Sequence, residues 1–360
     1  MTRSQQAFFL LLRSGLWEHD VQDLSLFPLT DDEWEEVFFL SEQQTVQGLV
    51  FQGLQRLPAH LSPPQTLIWR WITVVARLGK EYRQFTEATM KTCHMLEKAG
   101  VMPILQKGLA VAHFYEHPEL RLNGDIDWYV PQEQSFHLSA TTRRSDGSIC
   151  FEYEGIDVEI HREPTDLIRP RHQRVVMQLM ADNACQSMLL TDDEAVRVMA
   201  PVPTLVMLNA HIMKHAFTVG VGLRQFCDMA RAYHRLHGMY DVEVLDDAYR
   251  RTSLWRWSQL LHSVLVHDLG LNESTLPFPV SSHHADAQKL VRMVMEDGNF
   301  GHHALKKTSV HRDGNDRVHT VWQIIRRLTF SLRYAPTEMF YRILTLTKGV
   351  LSQKNKYKMI

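Results

Sequence analysis

The chain has 360 residues, of which 44% are hydrophobic and 22% are charged, so it is long enough for about two or three structural units with substantial cores. Its formal net charge of −2 argues against a uniformly basic nucleic-acid-binding protein. The four cysteines are far apart and form no Cys-x-x-Cys pair, which argues against a cysteine zinc module and a disulfide framework and favours a reducing, cytoplasmic setting.

The apolar segments are too short for a membrane protein. None reaches the roughly 18 to 20 uninterrupted apolar residues of a membrane span, so we expect no transmembrane segment. The apolar run near the N-terminus is followed by Arg13, Glu18 and Asp20 without a small-residue cleavage site. This pattern indicates an amphipathic helix rather than a signal peptide.

Residues 1–98 are predicted to form an N-terminal helical region. Thr30 and Glu33 stand three residues apart just before an apolar pattern of helical spacing, which resembles a capping box. The prolines at 63 and 64 break that pattern, and a long helix with one apolar face is predicted for residues 65–98.

Residues 99–169 are predicted to form a small mixed β-sheet core. The pattern indicates a strand, a helix, a second strand and a β-hairpin with glycine in its turn, at residues 101–105, 109–115, 125–130, 148–153 and 156–161. The fold class is therefore predicted to be α+β, with a small mixed sheet flanked by N-terminal and C-terminal helical regions.

Residues 170–360 are predicted to form a C-terminal helical region. The clearest helical patterns cover residues 201–215, 222–237, 245–269, 285–296 and 318–333. The last 60 residues contain twelve lysines and arginines against three acidic residues, with aromatic residues between them. This basic tail (residues 301–360) is suited to an anionic partner such as a phosphorylated or nucleic acid acceptor or an anionic membrane, or else consists of solvated helix faces.

The most informative motif is Asp125-Ile126-Asp127. In a strand, the period of two places both carboxylates on one face. Carboxylates that are buried together repel each other unless a cation lies between them. Magnesium is held by one or two carboxylates together with substrate phosphate oxygens, so the motif indicates a phosphoryl- or nucleotidyl-transfer site. The alternative is a polar turn that leads into a strand.

A third carboxylate is expected on the second strand of the hairpin. Asp157, Glu159 and His161 alternate there, so they share one face, and Glu159 is the best candidate to complete the site. The same alternation predicts that Val158 and Ile160 face the core. The alternative is a solvated strand face.

Lys107 and Gly108 lie between an apolar strand and a helix. A glycine there lets backbone N–H groups approach an anion, and the lysine adds a charge for phosphate. A lone Lys-Gly pair is unspecific, and its value comes from its position one helix before the aspartate pair.

Together these residues resemble the uncharacterised nucleotidyltransferase family of the polymerase-β-like superfamily. The resemblance covers most of residues 30–235 and is carried by Lys107-Gly108, Tyr115, Pro118, Arg121, Asp125-Ile126-Asp127, Glu159-Ile160-His161, His211-x-x-Lys214-His215 and Arg224-x-x-x-Asp228.

The resemblance implies transfer of a nucleoside monophosphate from an NTP such as ATP to an acceptor hydroxyl on a small molecule, a protein or RNA. It implies that Asp125, Asp127 and Glu159 are catalytic and hold Mg²⁺ (or Mn²⁺).

The resemblance also implies a nucleotide-binding set of four residues. Lys107 and Gly108 would line the triphosphate, and Lys214 would reach the same phosphates from the helical region. Arg121 would orient the aspartate-bearing loop or contact the nucleotide.

The chain departs from the family pattern in ways that keep two rival interpretations open. Leu109 follows Gly108 where a serine is usual, and an aromatic pair, Trp128-Tyr129, follows the aspartate motif. One rival is a catalytically degenerate nucleotide-binding or scaffold protein of the same fold. The other is an RNA-binding module that uses the basic tail.

Two helical pairs have other interpretations. His211 and His215 lack the glutamate of a His-Glu-x-x-His metalloprotease motif, so helix packing or phosphate contact is favoured. Arg224 and Asp228, four residues apart, can form an intrahelical ion pair.

Overall fold

The computed structural model describes residues 1–131, 134, 138, 141–144, 147–183, 185–280, 284–298 and 327–345. Within them, a single seven-stranded mixed sheet is flanked by helical regions, so the predicted α+β class is confirmed. None of the described helices is both long enough and apolar enough to cross a membrane.

The N-terminal region contains four α-helices: α1 (Arg3–Trp17), α2 (Asp31–Gln43), α3 (Gln47–Leu54) and α4 (Gln65–Lys98). The predicted capping box is present at the start of α2, where the Thr30 side chain accepts from the Glu33 backbone and the Glu33 side chain accepts from the Thr30 N–H at 2.9 Å. The long helix α4 has the predicted bounds. It begins directly after Pro64, which is compatible with a helix start but not with a helix interior.

The sheet consists of β1 (Ile104–Leu105), β2 (Ile126–Tyr129), β3 (Thr142–Arg143), β4 (Ile149–Tyr153), β5 (Ile156–His161), β6 (Gln186–Leu189) and β7 (Ala195–Val198). Their order is β3-β4-β5-β2-β1-β7-β6. The pairs β2–β5 and β1–β7 are parallel, and the remaining pairs are antiparallel. The predicted hairpin is confirmed as β4 and β5, joined at Glu154 and Gly155.

Three sequence predictions about the elements need correction. Strands β6 and β7 lie in the region that was expected to be helical, so the sheet includes residues on both sides of position 169. Helix α5 (Leu109–Ala112) is shorter than the predicted 109–115. The predicted helix 245–269 is two helices, because Ser253 adopts a φ of 60° and the Leu254 N–H turns back to the Tyr249 carbonyl at 2.8 Å.

The C-terminal helices are α6 (Pro170–Asp182), α7 (Pro201–Phe217), α8 (Leu223–Leu236), α9 (Val242–Arg251), α10 (Trp255–His267) and α11 (His284–Asp297). Residues 327–334 and 336–345 are also helical, and the rest of the basic tail lies outside the described residues. Three basic residues of the described part bond to the protein body: Arg327 to the Ala216 carbonyl, Arg333 to Asp286 and Arg342 to the Asp166 carbonyl.

One face of the sheet packs on α4. Val158 and Ile160 are fully buried in this core, as the alternation of β5 predicted. Trp128 of β2 lies in the same cluster, and its indole Nε1 donates to the Thr92 hydroxyl of α4 at 3.1 Å. Because alternate residues point to opposite faces, the polar residues of β2 and β5 are left on the other face of the sheet.

Candidate active site

Asp127 and Glu159 lie directly opposite each other on the parallel strands β2 and β5. The next alternate pair in the same register is Tyr129 and His161. Both strands are central in the sheet, so the carboxylates are held on rigid backbone rather than on loops. The predicted meeting of the two acidic motifs therefore follows from strand pairing.

Two side chains share one oxygen of Asp127. The Lys107 Nζ lies 2.8 Å from Asp127 Oδ1, and the His161 Nε2 lies 2.7 Å from the same atom. Burial alone would raise the pKa of Asp127, but Lys107 and His161 outweigh it and hold the pKa below the ordinary aspartate value. Asp127 is thus a charged carboxylate that is 2% exposed.

Asp125 precedes β2 by one residue and lines the same cleft. The charge of Asp127 and, to a lesser degree, burial raise the pKa of Asp125 to about 6. The pair therefore shows the mutual repulsion that the sequence motif predicted for two neighbouring carboxylates.

Glu159 is the third carboxylate of the cluster. It forms an ion pair with Arg144, and its Oε2 lies 3.7 Å from the His161 Nε2. One ligand atom each from Asp127, Glu159 and His161 lies within 4.8 Å of the others. These donors fit a divalent cation, because carboxylate oxygens suit Mg²⁺ and Mn²⁺.

Gly108 shapes the wall of the cleft beside Asp125. Its φ of 58° and ψ of −117° form a conformation that residues with a Cβ rarely adopt. A Cβ at this position would lie 3.2 Å from the Asp125 carbonyl oxygen. The adjacent Leu109 is buried in the core, so its side chain contributes packing and offers no hydroxyl to the cleft.

The opposite wall contains an acidic residue that the sequence interpretation missed. Asp166 lies between β5 and α6, and its carboxylate accepts from the Lys214 Nζ at 2.5 Å and from the His211 Nδ1 at 2.7 Å. No local motif marks Asp166, because its partners lie 45 and 48 positions away on α7. Lys214 faces the cleft, but its charge is paired with Asp166.

Arg121 lies in a buried ion-pair network below the aspartate loop. Its guanidinium makes two bonds to Asp228, at 2.7 and 2.8 Å, and Tyr115 donates to the same carboxylate at 2.8 Å. Arg121 also donates to the Asn123 side chain at 2.7 Å. Asp228 therefore pairs with Arg121 of the neighbouring loop, whereas Arg224 donates to the Leu122 carbonyl at 2.7 Å.

All the sequence-predicted site residues meet in one cleft with a cavity of about 270 Å³. The predicted residues in its wall are Lys107, Gly108, Arg121, Asp125, Asp127, Glu159 and Lys214. Further polar residues in the wall include Arg144, His161, Asp166, His211, His215, Arg224 and Asp228. The clustering of carboxylates, lysines and perturbed pKa values in one concave site is typical of a binding or catalytic centre.

A family model described as an uncharacterised nucleotidyltransferase matches residues 30–267. The match includes all seven strands and ends with α10. All the residues named above as lining the cleft lie within it. No curated protein and no solved structure matches the chain.

Proposed function

The chain belongs to the uncharacterised nucleotidyltransferase family and is a transferase enzyme, and we propose that it uses Mg²⁺ to transfer a nucleoside monophosphate from an NTP to an acceptor hydroxyl. The observation that carries this proposal is the register of β2 and β5, in which Glu159 lies opposite Asp127 of the aspartate motif. The resemblance inferred from the sequence is confirmed at the level of the family.

The metal would be held by Asp125, Asp127 and Glu159, with His161 beside them. When bound, Mg²⁺ supplies charge neutralisation at the phosphates and at the leaving group. Metal binding would relieve the repulsion that raises the pKa of Asp125. It would also release Lys107 and His161 from the Asp127 oxygen that they share.

The phosphates would be held by Lys107 and Lys214. Both ammonium groups face the cleft and are paired with carboxylates, Lys107 with Asp127 and Lys214 with Asp166. We infer that the nucleotide exchanges these pairs for lysine–phosphate contacts, which are charge-assisted hydrogen bonds. Gly108 has a positive φ, and this conformation brings its backbone close to Asp125.

Arg121 is proposed to act by orienting the aspartate loop. Its two bonds to Asp228 and its bond to Asn123 fix the segment that leads into Asp125. A guanidinium engaged in this way on a buried carboxylate has few donors left for a nucleotide.

The acceptor is proposed to be a molecule with a free hydroxyl, and the basic tail is proposed to attract an acceptor or partner of negative charge. None of the four cysteines forms a disulfide, which suits the cytoplasmic setting that we propose.

The test is incubation of the wild-type protein with labelled NTPs and Mg²⁺, beside the Asp125→Ala/Asp127→Ala double variant. The proposal expects metal-dependent nucleotide binding and transfer only in the wild type. Equal behaviour of the two proteins would rule out the enzyme, whereas tight nucleotide binding without turnover would favour a nucleotide-binding protein of the same fold.

A further inference from the structure

Asp166 and His211 form a carboxylate–imidazole pair on the wall of the cleft. Asp166 follows β5 and precedes α6, whereas His211 lies on α7, and the His211 Nδ1 is 2.7 Å from Asp166 Oδ2. Both residues line the same cavity as Asp125 and Asp127. Only 15% of the His211 side chain is exposed.

Asp166 is held in position by contacts on several sides. Its other carboxylate oxygen bonds to the Lys214 Nζ at 2.5 Å, and its backbone carbonyl accepts from Arg342 at 2.9 Å. Two residues further on, the Ile168 N–H donates to the buried Glu338 carboxylate at 2.7 Å. The C-terminal helical residues 336–345, which lie outside the family match, therefore help to hold Asp166 in place through Arg342 and Glu338.

This geometry fixes the tautomer of His211. The carboxylate of Asp166 can only accept, so the neutral imidazole donates its Nδ1–H to Asp166 and leaves Nε2 without a proton. A carboxylate that orients an imidazole in this way is the usual support of a histidine general base.

The charged and titratable groups that face His211 are Asp166, Lys107, Lys214 and His215. Burial and then Lys107 lower the pKa of His211 below its ordinary value, and Asp166 only partly offsets them. His211 is therefore neutral near pH 7, the state in which Nε2 can accept a proton.

We propose that His211 is the general base of the reaction and that Asp166 is its positioning residue. This inference rests on the proposed nucleotidyl transfer. The acceptor oxygen forms a bond to the α-phosphorus while the bond from that phosphorus to the pyrophosphate oxygen breaks. The acceptor's proton passes to His211 Nε2, and pyrophosphate carries away the negative charge.

Glu159 is less suited to that role in this chain. One of its oxygens is paired with Arg144 and the other faces His161, so its carboxylate belongs to the metal-binding cluster. A general base must be free to take a proton from the acceptor.

The first experiment measures Mg²⁺-dependent pyrophosphate release from NTP, with water or glycerol as the acceptor, across pH 5 to 9. Variants are His211→Gln, His211→Ala and Asp166→Asn, and His117→Gln serves as the control because His117 is an exposed residue away from the cleft. We expect a loss of roughly 10²- to 10⁴-fold in His211→Gln, with the acid limb of the pH profile removed. Exogenous imidazole should restore part of the activity of His211→Ala.

The dissociation constant of a Mg²⁺-bound non-hydrolysable NTP analogue should stay within about twofold in His211→Gln, since the base touches the acceptor. A variant that keeps full turnover and the wild-type acid limb, while Asp125→Asn is inactive, would overturn the role of His211 and leave the proposed function intact. Equal losses of turnover and of analogue binding would also overturn it.

A second readout does not depend on turnover. Diethyl pyrocarbonate modifies neutral imidazole nitrogens, and mass spectrometry reports the modification of His211. We expect the rate to be half-maximal at a pH below the ordinary histidine pKa of about 6.5, because burial lowers the pKa of His211, and to change in Asp166→Asn because the orienting carboxylate is lost. An unreactive His211, or the same profile in wild type and Asp166→Asn, contradicts the proposal.

Discussion

The Nζ of Lys107 lies 2.8 Å from Oδ1 of Asp127, the oxygen to which His161 also bonds. In this arrangement the lysine neutralises a carboxylate that we propose as a metal ligand, and it lines the cleft that we propose for the nucleotide. Burial alone would lower the pKa of Lys107, but Asp127, Asp166 and Asp125 outweigh it, so the pKa stays above the ordinary lysine value.

Lys107→Met should therefore change the affinity for a metal ion and the affinity for a nucleotide in opposite directions. Mn²⁺ binding without nucleotide should tighten, because the competing cation is gone, whereas a non-hydrolysable NTP analogue should bind about 10- to 100-fold more weakly. Isothermal titration calorimetry measures both constants. Lys98→Met, at an exposed lysine at the end of α4, is the matched control. Weaker Mn²⁺ binding in Lys107→Met would refute this exchange of partners.

Asp125→Asn should stabilise the metal-free protein at neutral pH. The folded-state pKa of Asp125 is about 6, above its ordinary value, so the folded protein binds the proton more tightly than the unfolded chain does. Stability from this group is full below pH ~4 and decreases as the pH rises to ~6. We expect a gain of about 1–3 kcal/mol at pH 7.5 and almost none at pH 4, measured by urea unfolding with EDTA present. An equal gain at both pH values would be inconsistent with repulsion from Asp127.

The bonds between Arg121 and Asp228 should be mainly structural. Removing one partner leaves a buried charge, so Arg121→Met and Asp228→Asn should each lower the free energy of unfolding by about 3–5 kcal/mol. The double variant should lose less than the sum of the two, because both changes break the same interaction. If Arg121→Met weakened binding of the NTP analogue far more than Asp228→Asn did, Arg121 would be a direct nucleotide ligand.

Much of this fold follows from local sequence signals. The bounds of α4 are set by the prolines before it and by Gly100 after it, and the β4–β5 hairpin turns at Gly155, which has a φ of 82°. These two features could be predicted because each depends on residues close together in the chain. The period of two likewise predicts which side chains of β2 and β5 share a face, but the meeting of Asp127 and Glu159 requires the pairing of these two strands.

The remaining features depend on contacts between distant residues. Strands β6 and β7 have four residues each and expose much of their surface, with Leu189 at 63%, so their pattern resembles that of a loop. Asp166 becomes a site residue only when α7 brings His211 and Lys214 to its carboxylate. The Arg121–Asp228 pair joins residues 107 positions apart, and no local pattern specifies such a pairing.

The bond between His172 and Glu338 should hold the C-terminal helical residues on the enzyme. The His172 Nδ1 lies 2.6 Å from Glu338, whose carboxylate also accepts from the Ile168 and Arg169 N–H groups. Glu338→Ala should lower the free energy of unfolding by about 3–5 kcal/mol and speed hydrogen exchange at these two amides. The exposed Glu97→Ala is the control, and unchanged exchange at both amides would contradict the assignment.

The bond between His172 and Glu338 also makes the stability of the folded protein depend on pH. Burial would raise the pKa of Glu338, but the bonds from His172 and Ile168 outweigh it and lower the pKa. The stabilisation is therefore full above the ordinary glutamate pKa and is lost as the pH falls through the lowered value. The protection of residues 336–345 against hydrogen exchange, corrected for the intrinsic exchange rate at each pH, should fall on acidification in the wild type, and this fall should be absent in Glu338→Gln.

We propose that Asp125, Asp127 and Glu159 support metal-dependent nucleotidyl transfer. The most direct measurement compares ATP labelled at the α-phosphate with ATP labelled at the γ-phosphate, each with Mg²⁺ and a cell extract as the source of acceptors. The account predicts that the α label enters a product and the γ label appears in pyrophosphate, and that Asp127→Asn or EDTA abolishes both. Transfer of the γ label to the product, or equal labelling by wild type and Asp127→Asn, would contradict it.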